Sequence, residues 1–353
     1  VVDASAYGQN ANSETQVGDL ADVGRFRFVR GILSGTIKVA PPLSYLVSID
    51  ASGLYANNKP ALTVNDLAFT IPVGGHGHVA IGRQKEGITE QVMSPSRGIA
   101  FAERAAPVTV FIPTRNDGIR VWGSMPRTHG GWTAGLFNDC LFNGLSPGAN
   151  GYQAAARVFY APIVSVDSNR ALQLAVDVRW SNAREGMLSY KTRPENNEAP
   201  NFVNTHSFAA SSGLTGDAEL VALHDNLSFT AEALPTRVRG TPTGAITFLA
   251  YYAALSWRPG GETRPYSDSL GIPGRVHVSR RPYAWEIAAR FSHTDLTAGD
   301  QQGGVLDVPS LSLGVYGPSS TRLLLDYGLS VLKKANVTGH ASLVTLRAQW
   351  ELL

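Results

Sequence analysis

The stretch Ala171 to Ser181 constrains the fold more than any other. Leu172, Leu174, Val176, Val178 and Trp180 alternate there with Gln173, Ala175, Asp177, Arg179 and Ser181, a period of two that a β-strand sorts onto two faces. The dyad recurs with Trp285, Ile287, Ala289 and Phe291 against Glu286, Ala288, Arg290 and Ser292. It returns with Val344, Leu346, Ala348, Trp350 and Leu352 against Thr345, Arg347, Gln349 and Glu351. Each run is about ten residues long, enough for a tilted strand to cross a bilayer with its apolar row toward lipid and its polar row toward a wet interior.

A soluble β-sandwich alternates as well. Its outer polar rows meet bulk water and tend to be dense in Lys and Glu, whereas here they are sparse. Charged residues make up 16% of this chain, against roughly 25% in soluble domains. Aromatics gather near strand ends (Trp132, Tyr152, Trp180, Tyr251, Tyr252, Trp257, Tyr283, Trp285, Tyr327 and Trp350), as an interfacial girdle requires. No apolar run approaches the roughly 18 residues of a membrane helix. The longest, Ala245 to Trp257, is broken by Thr247 and Ser256. No basic segment followed by an apolar one opens the chain, so any secretion signal is expected to have been removed.

Counting back from the C-terminus gives strands near Gly339–Leu352, Arg322–Lys333, Val305–Tyr316, Tyr283–Asp295, Ala245–Trp257, Leu227–Leu234 and Gly216–His224. Eight more lie between Arg25 and Ser181, and one weak strand is expected in the first 22 residues, where only Ala6 to Gly8 carries a trace of it. The expectation is therefore an all-β fold: a 16-stranded antiparallel transmembrane β-barrel with infolded loops, one domain over residues 1–353. An even count puts both termini on the periplasmic side.

Three connections exceed a short turn. Residues 85–116 and 183–214 fall on the extracellular side of this count and residues 258–282 on the periplasmic side. The first carries Ile88, Val92, Met93, Ile99, Phe101, Val108, Val110, Phe111 and Ile112, too much apolar surface for water. Long connections cannot lie in lipid with their backbone groups unpaired. They are expected to fold into an aqueous lumen, the first as a constriction loop, and to narrow it from both ends.

The residues resemble a known family. The phrases GRQKEG (Gly82 to Gly87), FAER with Pro107 and Arg115 (Phe101 to Arg104 onward), YAP (Tyr160 to Pro162) and TRPENNEAPNFVNT (Thr192 to Thr205) are similar to those of phosphate-selective porins of the O/P type. So are GETRPY (Gly261 to Tyr266), AWEIAARFSHTDL (Ala284 to Leu296) and LRAQ (Leu346 to Gln349), so that the resemblance runs in order from about Arg25 to the end. It implies a bacterial outer-membrane porin, usually a homotrimer set in outer-membrane lipid and lipopolysaccharide, with infolded loops and a basic pathway that favours anions such as phosphate. Two departures stand out. Gly87 occupies a position where the family usually has proline, and the chain ends Trp-Glu-Leu-Leu rather than on an aromatic residue.

Charge is distributed unevenly. In the first long loop Lys85, Arg97, Arg104 and Arg115 are balanced by Glu86, Glu90, Glu103 and Asp117, and in the second Arg184, Lys191 and Arg193 by Glu185, Glu195 and Glu198. The periplasmic connection is basic, with Arg258, Arg264, Arg275, Arg280 and Arg281 against Glu262 and Asp268. Arg120, Arg179, Arg290, Arg322 and Arg347 have lumen parity. Fixed cations along a narrow channel raise the local anion concentration, and arginine grips oxyanions with two parallel donors. The expectation is that residues 85–116 set pore size while the connection beneath them carries more of the anion preference.

Enzyme chemistry is not indicated. The eight histidines are scattered over turns and strand ends, with no metal-ligand spacing, nucleophile elbow or phosphate-cradling loop. The single cysteine, Cys140, excludes an internal disulfide framework and a Cys-rich metal site, so no metal or cofactor is expected. A net charge of +2 by itself argues neither for nor against an anionic partner, and no nucleic-acid partner is expected. Two functions remain: a passive, anion-preferring diffusion channel, or a barrel closed by its own loops that acts as a structural or docking subunit of a larger envelope assembly.

Overall fold

The computed structural model describes residues 1–52, 61–138, 151–165, 169–276, 278, 282–318 and 320–351. The chain opens with β1 (Val2–Gln9) and a short helix α1 (Ala11–Val17). β2 (Val23–Phe26) and β3 (Phe28–Ile37) are separated by Arg27, and β4 (Leu43–Ser52), β5 (Ala61–Pro72) and β6 (Gly77–Gln84) follow. Helices α2 (Glu90–Met93) and α3 (Ala106–Phe111) precede β7 (Asn116–Met125), β8 (Gly130–Phe137), β9 (Gln153–Ser165) and β10 (Arg170–Asn182). The next connection holds β11 (Met187–Leu188), β12 (Lys191–Thr192), β13 (Val203–Asn204) and β14 (Phe208–Ala209). Then come β15 (Ser212–His224), β16 (Leu227–Thr241), β17 (Gly244–Trp257) and the small pair β18 (Tyr266–Ser267) and β19 (Ile272–Pro273). The chain finishes with β20 (Ala284–Ala298), β21 (Gln301–Tyr316), β22 (Arg322–Lys334) and β23 (Val337–Gln349).

Seventeen strands form one sheet whose neighbours follow chain order, each pairing antiparallel. The first strand is bonded on both sides, Asp3 lying opposite Arg25 in β2 and Arg347 in β23. Antiparallel order makes successive connections alternate between the two ends of the sheet. Helix α1 and residues 85–115 and 183–211 therefore emerge at one end, and residues 258–283 at the other, with the termini.

Burial is inverted relative to a soluble protein. In β10, Leu174 and Val176 are 52% and 69% exposed, while Gln173 and Asp177 on the other face are 0% and 3% exposed. Trp285, Ile287 and Phe291 are exposed in β20 while Glu286, Arg290 and Ser292 are buried. A sheet that shows its leucines outward and hides its acids and arginines inward suits lipid outside. Most of the aromatic row behaves as expected, with Trp132, Tyr152, Trp180, Tyr251, Trp257, Tyr283, Trp285, Tyr327 and Trp350 exposed. Tyr252 is a correction: it is buried and faces inward with Phe248 and Ala250.

On the inner face the two long segments pack against one another and against the wall. Ile88, Val92, Val108, Phe111 and Ile112 of the first long segment pack with Tyr190, Phe202, Val203 and Phe208 of the second, against inward Leu234, Val238, Phe248, Leu296, Leu306 and Leu332. Tyr190 is the hinge of an aromatic group, with its ring centroid 5.4 Å from that of Phe111, 6.3 Å from Phe208 and 5.8 Å from Phe248. Wall positions near that end are Leu, Val and Phe, so the apolar loops find partners there. Burying each such side chain stabilises by about 1.5–3 kcal/mol relative to leaving it in water.

The N-terminal region is also more ordered than its composition suggests. The Oδ1 atom of Asn10 accepts from Ser13 N at 2.9 Å and from His340 N at 3.0 Å, capping α1 and tying it to β23. Capping, rather than an apolar stripe, holds this helix.

Candidate functional site

Residues 85–116 leave the sheet at Gln84 and are gripped all round its inner face. Arg179 of β10 donates to both oxygens of Glu86 at 2.7 and 3.1 Å, and Asn116 Nδ2 donates to Glu86 at 2.8 Å. Thr89 N donates to Asp177 Oδ2 at 2.5 Å, and Glu90 N to Glu232 of β16. Farther along, Ala102 N donates to Asp326 of β22 at 2.7 Å, and Arg290 of β20 donates to Glu103 O at 3.0 Å. Helix α3 starts with Pro107 in its first turn and uses no capping side chain of its own. Instead Ala106 N donates to Glu195 Oε1 at 3.0 Å, while Glu195 Oε2 lies 2.5 Å from Arg290. A carboxylate from the second long segment thus satisfies a free N–H at the helix start.

Four cations gather on this segment and the adjacent strand. Lys85 Nζ donates to the carbonyls of Met93 at 2.9 Å and Ser94 at 3.2 Å. Arg104 donates to Gln91 O at 2.6 Å and Ser94 O at 3.0 Å. Arg120 donates to Lys85 O at 3.3 Å and lies over the Trp122 ring at 4.4 Å; Trp122 stacks on His78 at 5.2 Å. Arg115 closes the group but is clamped by Asp66 at 3.0 and 3.1 Å. Lys85, Arg104 and Arg120 therefore hold backbone carbonyls, with no carboxylate at ion-pair distance among the described residues. Burial, reinforced by Arg104 and Arg115, pushes Lys85 well below its ordinary value of 10.5. Burial and Arg115 lower the Arg104 guanidinium to about 10.

Most of the other candidate cations meet carboxylates. Arg258 meets Glu286 at 3.0 Å, Ser228 Oγ at 2.8 Å and Ser256 Oγ at 3.1 Å, and is fully buried. Arg264 meets both oxygens of Glu286 at 3.0 and 2.6 Å. Burial works against the Arg264 charge, but Glu286 and Tyr316 outweigh it and hold its pKa above the ordinary value. Arg275 and Arg97 share Glu351, Arg290 meets Glu195, and Arg347 meets Asp3 and Glu103. Arg322 donates to the carbonyls of Arg97 and Phe101 at 3.0 and 3.1 Å. Lys191 is exposed, and Arg193, also exposed, donates to Asn197 O at 2.7 Å. Arg280, Arg281 and Cys140 lie outside the described residues.

Beside the start of this segment sits a group of acids that spacing along the chain did not single out. Carboxylate oxygens of Asp177, Asp217 and Glu219 lie within 4.8 Å of one another. Asp177 faces Asp217 across β10 and β15, and Glu219 faces Glu232 across β15 and β16. Arg157 meets Glu219 at 2.6 Å and Asp177 at 3.5 Å. The signal was inward parity on consecutive strands, which requires the register to be known.

The whole sheet, with its inverted burial and its loops drawn inward, is matched by one sequence family. The profile of phosphate-selective porin O and P covers residues 4–352. The chain belongs to that family. It is an outer-membrane porin of the bacterial envelope. No curated protein matches the sequence. Among solved structures, this porin is similar to OmpTdeltaL8, a loop deletion mutant of an outer membrane protein of Vibrio cholerae, at TM-score 0.57 and 11% identity over 99% of this chain and 97% of that one. It is similar to the anion-selective porin from Comamonas acidovorans at TM-score 0.56 and 12% identity, over 99% and 97%. It is also similar to the outer membrane channel DcaP of Acinetobacter baumannii at TM-score 0.55 and 10% identity, over 99% and 94%. At such identities the likeness is one of fold.

Proposed function

We propose that the protein is a passive diffusion channel for small anions such as phosphate, with Lys85, Arg104 and Arg120 as its attracting cluster. The observation that carries this is that Lys85, Arg104 and Arg120 rest on carbonyls, whereas Arg258 and Arg264 are spent on Glu286. A cation already paired to a buried carboxylate contributes little field to a passing ion, while an unpaired one in a low-dielectric channel contributes much.

On this reading the seventeen-stranded sheet closes into a barrel of sixteen strands. β2 and β3 flank Arg27 as one interrupted strand, and β1 bridges it to β23. Residues 85–116 are the inward constriction, 183–214 a second infolded loop and 258–282 an infolded connection on the periplasmic side. The exposed aromatic and aliphatic outer face suits lipid and neighbouring protomers, in keeping with a homotrimer.

The test is a planar bilayer measurement under a potassium chloride gradient. Wild type is expected to reverse toward the anion potential and to show chloride current blocked by added phosphate, with Lys85→Gln and Arg120→Gln weakening both. Cation preference, or chloride current indifferent to phosphate, would overturn the proposal. The apolar packing of both long segments across the interior favours a second reading, a barrel closed by its loops that docks a partner. That reading requires negligible conductance and a co-purifying protein.

A further inference from the structure

The acids that receive the start of the loop are answered at ion-pair distance by one arginine among the described residues, Arg157, which binds both oxygens of Glu219 at 3.1 and 2.6 Å. Asp177, Asp217, Glu219 and Glu232 are each nearly buried, and they belong to facing positions of three adjacent strands. Like charges directly opposite one another in a sheet are destabilising. Arg157 answers Asp177 and Glu219, and Gln173 Nε2 donates to Glu219 at 3.4 Å. A further buried acid, Glu90, is held by Ser94 Oγ at 2.6 Å. Neither side-chain oxygen of Asp217 has a well-formed hydrogen bond among the described residues, although the N–H groups of Ala218 and Ala233 lie close enough to act on it. Glu232 Oε2 is likewise unpartnered, although Oε1 accepts from the loop. Buried polar atoms left in this state call for a ligand or a strong compensating charge.

We propose that Asp177, Asp217, Glu219 and Glu232 form a calcium site inside the wall of this protein. The donors are all carboxylate oxygens, the set that suits a hard divalent cation rather than zinc or copper. The oxygens of Asp177, Asp217 and Glu219 lie within 4.8 Å of one another. Calcium takes six to eight oxygen ligands in flexible geometry, whereas magnesium is usually held by one or two carboxylates and several waters, so a cluster of carboxylates favours calcium. The site also has a structural consequence. Asp177 Oδ2 receives Thr89 N and Glu232 Oε1 receives Glu90 N and Gln91 N, so a bound cation keeps charged the carboxylates that anchor the start of the constriction loop. This inference stands whether or not the channel prefers anions.

The experiment is calcium titration by calorimetry on the full chain in detergent after chelator treatment, with Asp217→Asn and Glu232→Gln beside wild type. Folding of each is checked by heat-dependent migration on a gel. Wild type is expected to bind one calcium per chain with a Kd no weaker than about 10⁻³ M. Each folded variant is expected to bind about tenfold more weakly or worse, and calcium should raise the Tm of wild type more than that of either variant. Absence of calcium binding in wild type, or an unchanged Kd in a folded variant, overturns the proposal and leaves protons to neutralise the cluster.

Discussion

Arg97 Nη1 lies 3.0 Å from Glu351 Oε1, although Arg97 belongs to a segment that starts toward one end of the sheet and Glu351 follows the last strand at the other. The tip of the long loop has crossed the interior. Arg275 binds the second oxygen of the same carboxylate at 3.0 Å, so the loop, the connection from the opposite end and the chain terminus meet at one side chain. They line a cavity of about 390 Å³ with Tyr316, Arg322 and Gln349.

Arg97→Ala tests what this tether does. The pair is partly exposed, at 38% for the arginine, and pairs of that kind contribute about 0–1 kcal/mol. Unfolding by urea should therefore hardly change. Open-channel current noise should rise as the tip loses its anchor, read from single-channel recordings. Unchanged noise would mean that Arg322, through Arg97 O and Phe101 O, and Arg264, through Gly98 O, hold the tip without it.

Glu286→Gln addresses the opposite kind of contact. It leaves Arg258 and Arg264 buried without their shared carboxylate, and breaking a buried pair from one side costs roughly 3–5 kcal/mol. The urea midpoint of the folded gel band should fall accordingly. If these arginines instead served the anion path, removing their acid would increase anion preference. A more anion-selective reversal potential without loss of stability would move the site to this connection.

The outer face was legible because lipid makes a strict demand: Leu172 to Trp180 read correctly from alternation alone, as did the strands near Trp285 and Val344. Strand ends were less so. The sequence carried β16 only to Leu234, but it runs through exposed Pro235 to Thr241, a proline that reads as a breaker when the lattice around it is unknown. Local charge counts misjudged which cations are free. Arg258 and Arg264 have few acids nearby in sequence, yet Glu286 reaches both from the next long strand. Lys85 and Arg104 sit among glutamates in sequence, but Glu86 turns to Arg179 and Glu103 to Arg347 and Arg27. Pairing across a sheet depends on register, which alternation does not encode.

Gly87→Ala should disturb the cationic cluster directly. Gly87 has φ +87, and an added Cβ would lie 2.9 Å from Arg120 Cδ and 2.9 Å from Thr133 Oγ1. The left-handed backbone and the overlap together should cost about 1–3 kcal/mol. Arg120 must shift off Lys85 O to relieve the contact, so phosphate block should weaken along with stability. A variant of wild-type stability and block would show that the loop relaxes locally.

The last prediction concerns pH and turns on the sign of the Lys85 shift. Burial, with Arg104 and Arg115, lowers this amine well below 10.5 in the folded protein, while the unfolded chain keeps the ordinary value. Between the two the unfolded state binds the extra proton, so Lys85 contributes a stability term that rises with pH across that window and is lost as pH falls through the folded pKa. Selectivity moves the other way. As pH rises through the folded pKa, the amine loses its charge and anion preference should decline at a pH well short of 10.5. Lys85→Arg keeps its charge to much higher pH and should flatten that decline, while Lys85→Gln should start from the lower preference and show no step. Reversal potentials measured from acid pH up to 10.5 in all three proteins decide the matter. A step that persists in Lys85→Gln assigns the titration to another group.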